Sequence, residues 1–244
     1  MSNFIKMTGI CGEKSMASYL DRTISLIGKK SLENIQSKTI LVVGLGGVGG
    51  TTLEALARSG FKHFIIVDFD KVDVTNLNRQ IMYLEGDDGK SKVDICINRL
   101  KAINKDIDVK GLNVLIDEKT VSLLEKENID FIVDAIDKVE GKLALYQFAE
   151  SHNVPVISSM GMGKRIDPSK VFVTNLNKTE GDPLARKIRY ECKQRGIAPS
   201  KIKVVCSKEE PVQSGVTIAS MMMVPSTAGL IIAKEIINHF LLSD

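Results

Sequence analysis

The segment Ile40-Leu-Val-Val-Gly-Leu-Gly-Gly-Val-Gly49 decides the fold of this chain, because an apolar strand runs directly into a glycine-rich turn. Gly44, Gly46 and Gly49 have the spacing of a G-x-G-x-x-G loop, and Gly47 lies inside it. The first glycine permits a tight turn, the second lets the backbone approach a phosphate, and the third lets the next helix pack closely. The loop therefore predicts a phosphate at a helix N-terminus.

The next apolar run, Phe64-Ile-Ile-Val67, ends at Asp68. A carboxylate at the end of the second strand is placed to accept hydrogen bonds from the hydroxyl groups of a ribose. The glycine loop and Asp68 alone are typical of a dinucleotide cofactor site, so an NAD-dependent oxidoreductase is one alternative.

A polar cluster follows in Asn76-Leu-Asn-Arg-Gln80. Arg79 offers a planar fork of donors that suits phosphate oxygens, and Asn76 and Gln80 add neutral donors. A dehydrogenase does not need these groups beside its ribose carboxylate. The cluster therefore favours a site where a nucleotide is cleaved and pyrophosphate leaves.

Together these residues resemble the ubiquitin-activating-enzyme-like adenylyltransferases, the family of the ThiF, MoeB and HesA proteins. The resemblance implies that ATP is bound, with Asp68 on the ribose and Asn76, Arg79 and Gln80 on the phosphates. It also implies that Lys92, in Gly-Lys-Ser-Lys-Val-Asp, is a second phosphate-binding cation.

Other residues also match positions of the family's motifs, some of them more specifically than others. Asp137, in Phe131-Ile-Val-Asp-Ala-Ile-Asp137, matches the carboxylate that holds Mg²⁺ beside the α-phosphate, whereas Asp134 and Asp70 match less specifically. The segment Tyr19-Leu-Asp-Arg-Thr-Ile-Ser-Leu-Ile-Gly28 resembles the one whose arginine reaches the neighbouring subunit. The resemblance thus implies a homodimer in which Arg22 acts in trans, with Arg22, Arg79, Lys92 and Asp137 as the catalytic set.

Three segments of the second half resemble a narrower branch, the tRNA threonylcarbamoyladenosine dehydratases. They are Met160-Gly-Met-Gly-Lys-Arg-Ile-Asp-Pro168, Lys178-Thr-Glu-Gly-Asp-Pro-Leu-Ala-Arg186 and Val204-Val-Cys-Ser-Lys-Glu-Glu-Pro211. This branch implies ATP-dependent adenylation of the threonylcarbamoyladenosine carboxylate in tRNA, followed by cyclisation with loss of water. It leaves open a monovalent cation near residues 161–168 and a sulfur-transfer or electron-transfer partner.

Charge is uneven along the chain. The net charge is only +3, but residues 178–208 contain nine basic and three acidic residues. Residues 182–196 are predicted to form a helix with Leu184, Ile188 and Cys192 as its apolar stripe. Its other face carries Arg186, Arg189 and Lys193, which we expect to follow an RNA phosphate backbone. An ordinary solvated helix face is the alternative.

Cysteine usage argues against a zinc site. Cys11, Cys96, Cys192 and Cys206 form no C-x-x-C pair, whereas structural zinc needs four ligands. Cys206 is expected to be buried, with a thioester nucleophile as the alternative. No signal-peptide pattern is present, so a cytoplasmic location is expected. The apolar stretch 216–233 is interrupted by polar residues and predicts a buried strand and then a helix at 226–242, not a membrane span.

The alternation of elements predicts an α/β fold: a Rossmann-like, mostly parallel, doubly wound sheet with an N-terminal helical arm and a C-terminal strand/helix extension. Strands are expected near 40–43, 64–67, 109–115, 131–134, 155–159 and 171–174, and helices near 49–59, 91–103, 117–127 and 139–152. We predict one domain over 1–244, with an arm (1–38), a nucleotide-binding core (39–160) and a third region (161–244). That third region would hold a substrate loop, the basic helix and the C-terminal helix.

Besides the oxidoreductase, two other functions remain compatible with these motifs. One is an adenylyltransferase that activates the C-terminal Gly-Gly carboxylate of a ubiquitin-like sulfur carrier protein. The missing zinc pairs and the basic helix argue against it. The other is an RNA adaptor that binds nucleotide without turnover.

Overall fold

The computed structural model describes residues 17–212 and 219–241. Helices and strands alternate through most of this range. In chain order they are α1 (Asp21–Ile27), α2 (Lys29–Gln36), β1 (Thr39–Val43), α3 (Gly47–Ser59), β2 (His63–Asp68), α4 (Lys92–Ile103), β3 (Asp108–Asn113), β4 (Phe131–Asp134), α5 (Val139–Ser151), β5 (Val156–Ser159), β6 (Val171–Asn175), α6 (Pro183–Gln194), β7 (Lys203–Ser207) and α7 (Met223–Leu241).

The strands form one sheet in the order β3-β2-β1-β4-β5-β7-β6. Every neighbouring pair is parallel except β6 and β7, which are antiparallel. The strand order reverses between β1 and β4, and this is the point where open α/β sheets bind their ligands. The predicted mostly parallel α/β fold is confirmed.

Alternate residues of the central strands face opposite layers, as a sheet covered on both sides requires. Ile40 and Val42 of β1 join the core with α3, α4 and α7. Leu41 and Val43 join the opposite core, which contains α5 residues such as Leu145. The sheet is therefore doubly wound.

One predicted helix is wrong. Residues 117–127 contain only a short 3₁₀ turn at Val121–Leu124. The Asp117 carboxylate accepts the backbone N–H groups of Lys119 and Thr120, and the Thr120 hydroxyl donates to the Leu115 carbonyl. These local bonds compete with the helical hydrogen-bond pattern.

The C-terminal region differs in detail from its prediction. Residues 219–222 form no strand, and the rest of the expected strand start (216–218) lies outside the described residues. Helix α7 begins at Met223, three residues earlier than expected. Within the described ranges, none of the helices is long and apolar enough to span a membrane.

Candidate nucleotide site

The predicted nucleotide residues meet in one cleft of about 300 Å³ at the carboxyl ends of β1, β2 and β4. It lies where the strand order reverses, as expected for this fold. Its polar lining is formed by side chains from three loops and from the start of α4: Asp68, Asp70, Asn76, Arg79, Gln80, Lys92 and Asp137.

The geometry of the glycine loop is compatible with the three predicted roles. Gly44 has φ +89°, and a Cβ there would lie 2.7 Å from the Ala135 carbonyl oxygen. A Cβ on Gly49 would lie 1.8 Å from the Gly44 oxygen, so only glycine lets α3 approach β1. Gly46 faces open space, with the nearest atom, Gln80 Nε2, 4.0 Å from the Cβ position.

Helix α3 begins at Gly47 and has Gly46 as its N-cap, without a side-chain cap bond. Its first-turn N–H groups are therefore available to an anion, and the helix dipole adds to the attraction. The open approach at Gly46 leads to these groups. This geometry fits a phosphate bound at the start of the helix.

Asp68 is buried at the end of β2 and holds the glycine loop from one side. Its Oδ2 accepts the Leu45 N–H at 2.6 Å, and its Oδ1 accepts the Asp70 N–H at 2.9 Å. From the other side the buried Tyr83 hydroxyl donates to the Leu45 carbonyl at 2.8 Å. Burial raises the pKa of Tyr83, so this hydroxyl stays a neutral donor.

The cluster at 76–80 lines the cleft. Asn76 closes its turn by accepting the Asp73 N–H, and the Arg79 guanidinium donates to the Thr75 carbonyl at 2.7 Å and to Asn78. Gln80 Oε1 is the one buried side-chain nitrogen or oxygen without a hydrogen-bond partner in the described part of the chain. A buried polar atom without a partner is costly, so it points to a ligand that supplies one.

Lys92 is buried at the start of α4 and forms an ion pair with Asp70 at 2.8 Å. Asp137 lies exposed at the rim, and its carboxylate makes no hydrogen bond or ion pair with the residues that the structure describes. The described residues also contain no group of three or more His, Cys, Asp or Glu side chains that could hold a metal ion. One free carboxylate fits Mg²⁺ held mainly by phosphates and water.

Two predicted residues lie away from the cleft of the same chain. Arg22 is exposed on α1 and does not line the cleft. Asp134 lies below the cleft, where its Oδ2 accepts Lys142 at 3.0 Å and the Ser158 hydroxyl at 2.5 Å. Asp134 and Lys142 are fully buried.

Sequence reasoning missed Lys142, although a signal was present. It lies between Val139 and Tyr146 on the inner face of α5, and a lysine in such a stripe needs an internal acid. All three of its donors are used, by Asp134, by the Ser158 hydroxyl and by the Ser159 carbonyl at 2.8 Å. The group ties the carboxyl end of β4 to that of β5.

The basic helix forms as predicted, but its faces differ. The Asp182 side chain caps α6 by accepting the Ala185 N–H at 2.9 Å, and the buried residues are Ala185, Ile188 and Cys192, with Leu184 only partly buried. Arg189 turns back and donates to the carbonyl and hydroxyl of Thr179. Of the predicted RNA-contacting residues, Arg186 and Lys193 are exposed and Arg189 is partly buried.

Cys96, Cys192 and Cys206 are buried and unpaired, whereas Cys11 lies outside the described residues. Burial raises the pKa of Cys206 to about 11, so its thiol is neutral at physiological pH. This environment does not produce a reactive thiolate.

A larger cavity, about 630 Å³, lies at the amino ends of the strands, beside the start of β5. Its lining is mostly apolar, including Val154, Pro155 and Ile197. Glu150, Asn153, Lys201 and His239 also line it, but Lys201 is paired with Glu150, and the cavity lies at the amino end of β5, away from the glycine loop. We therefore assign the nucleotide to the smaller cleft.

The sequence profile of the ThiF family matches residues 20–243. A tRNA threonylcarbamoyladenosine dehydratase from Bacillus subtilis is similar at 32% identity, covering 93% of this chain and 96% of that protein. The Escherichia coli protein of that name is 37% identical to this chain, in an alignment that covers 70% of this chain and 64% of the Escherichia coli protein.

Solved structures are similar as well. The crystal structure of the Escherichia coli tRNA N6-threonylcarbamoyladenosine dehydratase TcdA in complex with ATP has a TM-score of 0.86 and 32% identity, covering 91% of this chain and 93% of that one. The Escherichia coli MccB structure, at TM-score 0.67 and 19% identity, shares the fold alone.

Proposed function

This chain belongs to the ThiF family, and on that basis we propose that it is an ATP-dependent tRNA threonylcarbamoyladenosine dehydratase. It adenylates the carboxylate of the threonylcarbamoyl group on a tRNA adenosine and then closes a ring with loss of water. The cleft carries this proposal, because it brings Asp68, Arg79, Lys92 and Asp137 to one space. The similarity to the dehydratases over most of the chain supports the choice of substrate.

The ribose and the phosphates of ATP each have a matching group in the cleft. Asp68 accepts hydrogen bonds from the ribose, and the free N–H groups at the start of α3 bind phosphate beside Gly46. The Gln80 amide nitrogen, which is the atom nearest to the Gly46 Cβ position, donates to a phosphate oxygen. Arg79 and Lys92 offset the charge on the leaving pyrophosphate, and the ion pair with Asp70 orients Lys92.

Mg²⁺ held by Asp137 would supply further charge neutralisation beside the α-phosphate. Asp137 suits this role because its carboxylate has no protein partner among the described residues, whereas Asp70 is already paired with Lys92.

In the first step an oxygen of the substrate carboxylate attacks the α-phosphorus, the bond to the bridging oxygen breaks, and pyrophosphate leaves. In the second step an atom of the same threonylcarbamoyl group attacks the activated carbonyl carbon, and AMP leaves with one carboxylate oxygen. The attacking atom loses its proton, so the substrate has lost one water. No enzyme thiol is needed, which agrees with the buried, neutral Cys206. Holding two groups of one substrate together lowers the barrier to ring closure.

Mass spectrometry of the modified nucleoside tests the proposal. Wild-type protein, Mg²⁺, ATP and tRNA bearing threonylcarbamoyladenosine should give a nucleoside that is lighter by one water. Asp137→Asn should keep the fold and lower turnover at least about a hundredfold, because charge stabilisation in the transition state is lost. Glu140→Gln is the matched control, since Glu140 is exposed in the first turn of α5 but does not line the cleft.

Two outcomes contradict the proposal. Full activity of Asp137→Asn would remove the metal-binding role. An unchanged nucleoside with the wild-type protein, together with pyrophosphate release stimulated by a ubiquitin-like sulfur carrier, would instead indicate a protein carboxylate as the substrate.

A further inference from the structure

Most of the basic residues between 178 and 208 are already engaged. Arg189 donates to Thr179, and Lys208 lies over the Phe172 ring. Three others form ion pairs with acidic groups: Arg195 with Glu118, Lys201 with Glu150 and Lys203 with Glu235. The other four are exposed, and their side chains make no hydrogen bond or ion pair within residues 17–212 and 219–241: Lys178, Arg186, Lys187 and Lys193.

Three of these four cations surround one exposed aromatic ring. Tyr190 on α6 is 61% exposed, and its side chain makes no hydrogen bond or ring contact in the described part of the protein. Arg186 precedes it by four residues, Lys187 precedes it by three, and Lys193 follows it by three, so all share its face of the helix. The core does not need Tyr190, because α6 packs through Ala185, Ile188 and Cys192.

This face begins close to the nucleotide cleft. Asp182, at the start of α6, accepts the Gly161 N–H at 3.0 Å, and Gly161 follows β5, the neighbour of β4. Ile197, just past the end of α6, lines the cavity at the amino end of β5. The helix therefore runs from the side of the sheet where the strands have their carboxyl ends towards the side where they have their amino ends. Arg186 and Lys193 are about 10 Å apart along it.

We propose that Arg186, Lys187, Tyr190 and Lys193 form a binding face for single-stranded RNA next to the cleft. The ring of Tyr190 stacks on an unpaired base, while the three cations neutralise the phosphates beside it. The proposal rests on the proposed function in taking tRNA as the ligand. It differs from simple backbone binding because it requires an unstacked base, which a loop offers and a duplex does not.

The test compares RNA binding by Tyr190→Leu and Tyr190→Phe, using a tRNA anticodon stem-loop and an RNA duplex of equal length. Tyr190→Phe should bind both as the wild type does. Tyr190→Leu should bind the stem-loop roughly tenfold more weakly and the duplex unchanged, because leucine has no ring to stack. Equal weakening of both RNAs, or no weakening, would overturn the stacking role.

The cations are tested by the salt dependence of stem-loop binding. Arg186→Ala and Lys193→Ala should each reduce the slope of log K against log salt by about one. Lys105→Ala is the matched control, since Lys105 is exposed between α4 and β3, at the far edge of the sheet. Unchanged slopes would contradict the phosphate contacts.

The outcome is separable from that of the proposed function. If the wild-type protein removes water from the nucleoside and the tRNA KM is unchanged in Tyr190→Leu, the RNA-binding face is contradicted and the dehydratase function is supported. If Tyr190→Leu binds the stem-loop more weakly but the wild-type protein removes no water from the nucleoside, the RNA-binding face is supported and the proposed reaction is contradicted. ATP binding should be the same in all variants, which confirms that each is folded.

Discussion

The backbone N–H and carbonyl of Leu45 join three segments of the cleft. Its N–H is held by Asp68 from β2, and its carbonyl is held by Tyr83, which follows the 76–80 cluster. Because Leu45 lies between Gly44 and Gly46, both bonds fix the turn that must approach the phosphates. The glycines permit this turn, and Asp68 and Tyr83 select it from the conformations that glycine allows.

We expect Tyr83→Phe to raise the KM for ATP several-fold while the KM for tRNA stays the same. The Leu45 carbonyl would lose its buried donor, which costs about 1–3 kcal/mol and loosens the turn. Steady-state kinetics with each substrate varied in turn measure both constants. Cys96→Ala is the control, because it removes the sulfur 3.7 Å from the Tyr83 hydroxyl and leaves the bond to Leu45 intact. A purely structural Tyr83 would lower stability without changing the KM for ATP.

Sequence patterns predict residues whose role depends on spacing along the chain. Gly44 and Gly49 are examples, since local backbone geometry fixes both. Tyr83 could not be predicted, because its partner Leu45 is 38 residues away and nothing local marks the contact. Arg189 was placed outward by helical periodicity, but its long side chain reaches Thr179.

At the level of elements, α3 is supported by α7. A Cβ on Gly229 of α7 would lie 2.6 Å from the Val48 carbonyl oxygen and 2.8 Å from the Thr51 Cβ. The Thr52 hydroxyl also donates to the Gly229 carbonyl at 3.1 Å. The two helices approach closely only because glycine is present, so the C-terminal helix fixes the helix whose N-terminus faces the nucleotide.

We therefore expect Gly229→Ala to destabilise the protein by about 1–3 kcal/mol and to weaken ATP binding, because overpacking displaces α3. Urea unfolding and ATP titration measure the two effects. Leu230→Ala is the control, since Leu230 is 56% exposed on the same helix and should change stability by less than about 0.5 kcal/mol. If both variants were equally stable, the close approach would not matter.

Element types were predictable where periodicity was strong, as in α3, α4, α5 and α6. The failure at 117–127 has a physical cause, since apolar spacing there suggested a helix but Asp117 and Thr120 bind nearby backbone groups instead. The order of strands beyond β5 was also not predicted. β7 lies between β5 and β6 in the sheet, and this pairing depends on contacts distant in sequence.

At the level of the whole molecule, the predicted nucleotide residues line the cleft of their own chain except Gly47 and Gly49, and Arg22 does not line it. This arrangement is compatible with the homodimer that the family resemblance implies, in which Arg22 of one subunit completes the site of the other. The described arm is anchored on the body, where Leu20 and Leu32 approach Gly60 and Asn34 donates to the Phe240 carbonyl at 2.9 Å.

Mixing inactive variants tests the shared site. Arg22→Ala and Asp137→Asn subunits, unfolded and refolded together, should regain roughly a quarter of wild-type activity, because random pairing gives half heterodimers with one intact site each. Lys92→Ala mixed with Asp137→Asn is the control and should stay inactive, since both residues belong to one chain's cleft. Absence of recovery in the first mixture would mean that Arg22 does not act across subunits.

The packing of α7 on α3 also has a consequence for biosynthesis. The nucleotide motifs lie in the first 137 residues, but Thr52 makes its bond to Gly229, which is 177 positions later. Translation adds about 5–20 residues per second, so roughly 9–35 seconds separate the emergence of the glycine loop from that of its support. During this interval the nascent chain lacks the surface of α7 that covers α3, so the helix that faces the nucleotide gains this support only after α7 leaves the ribosome.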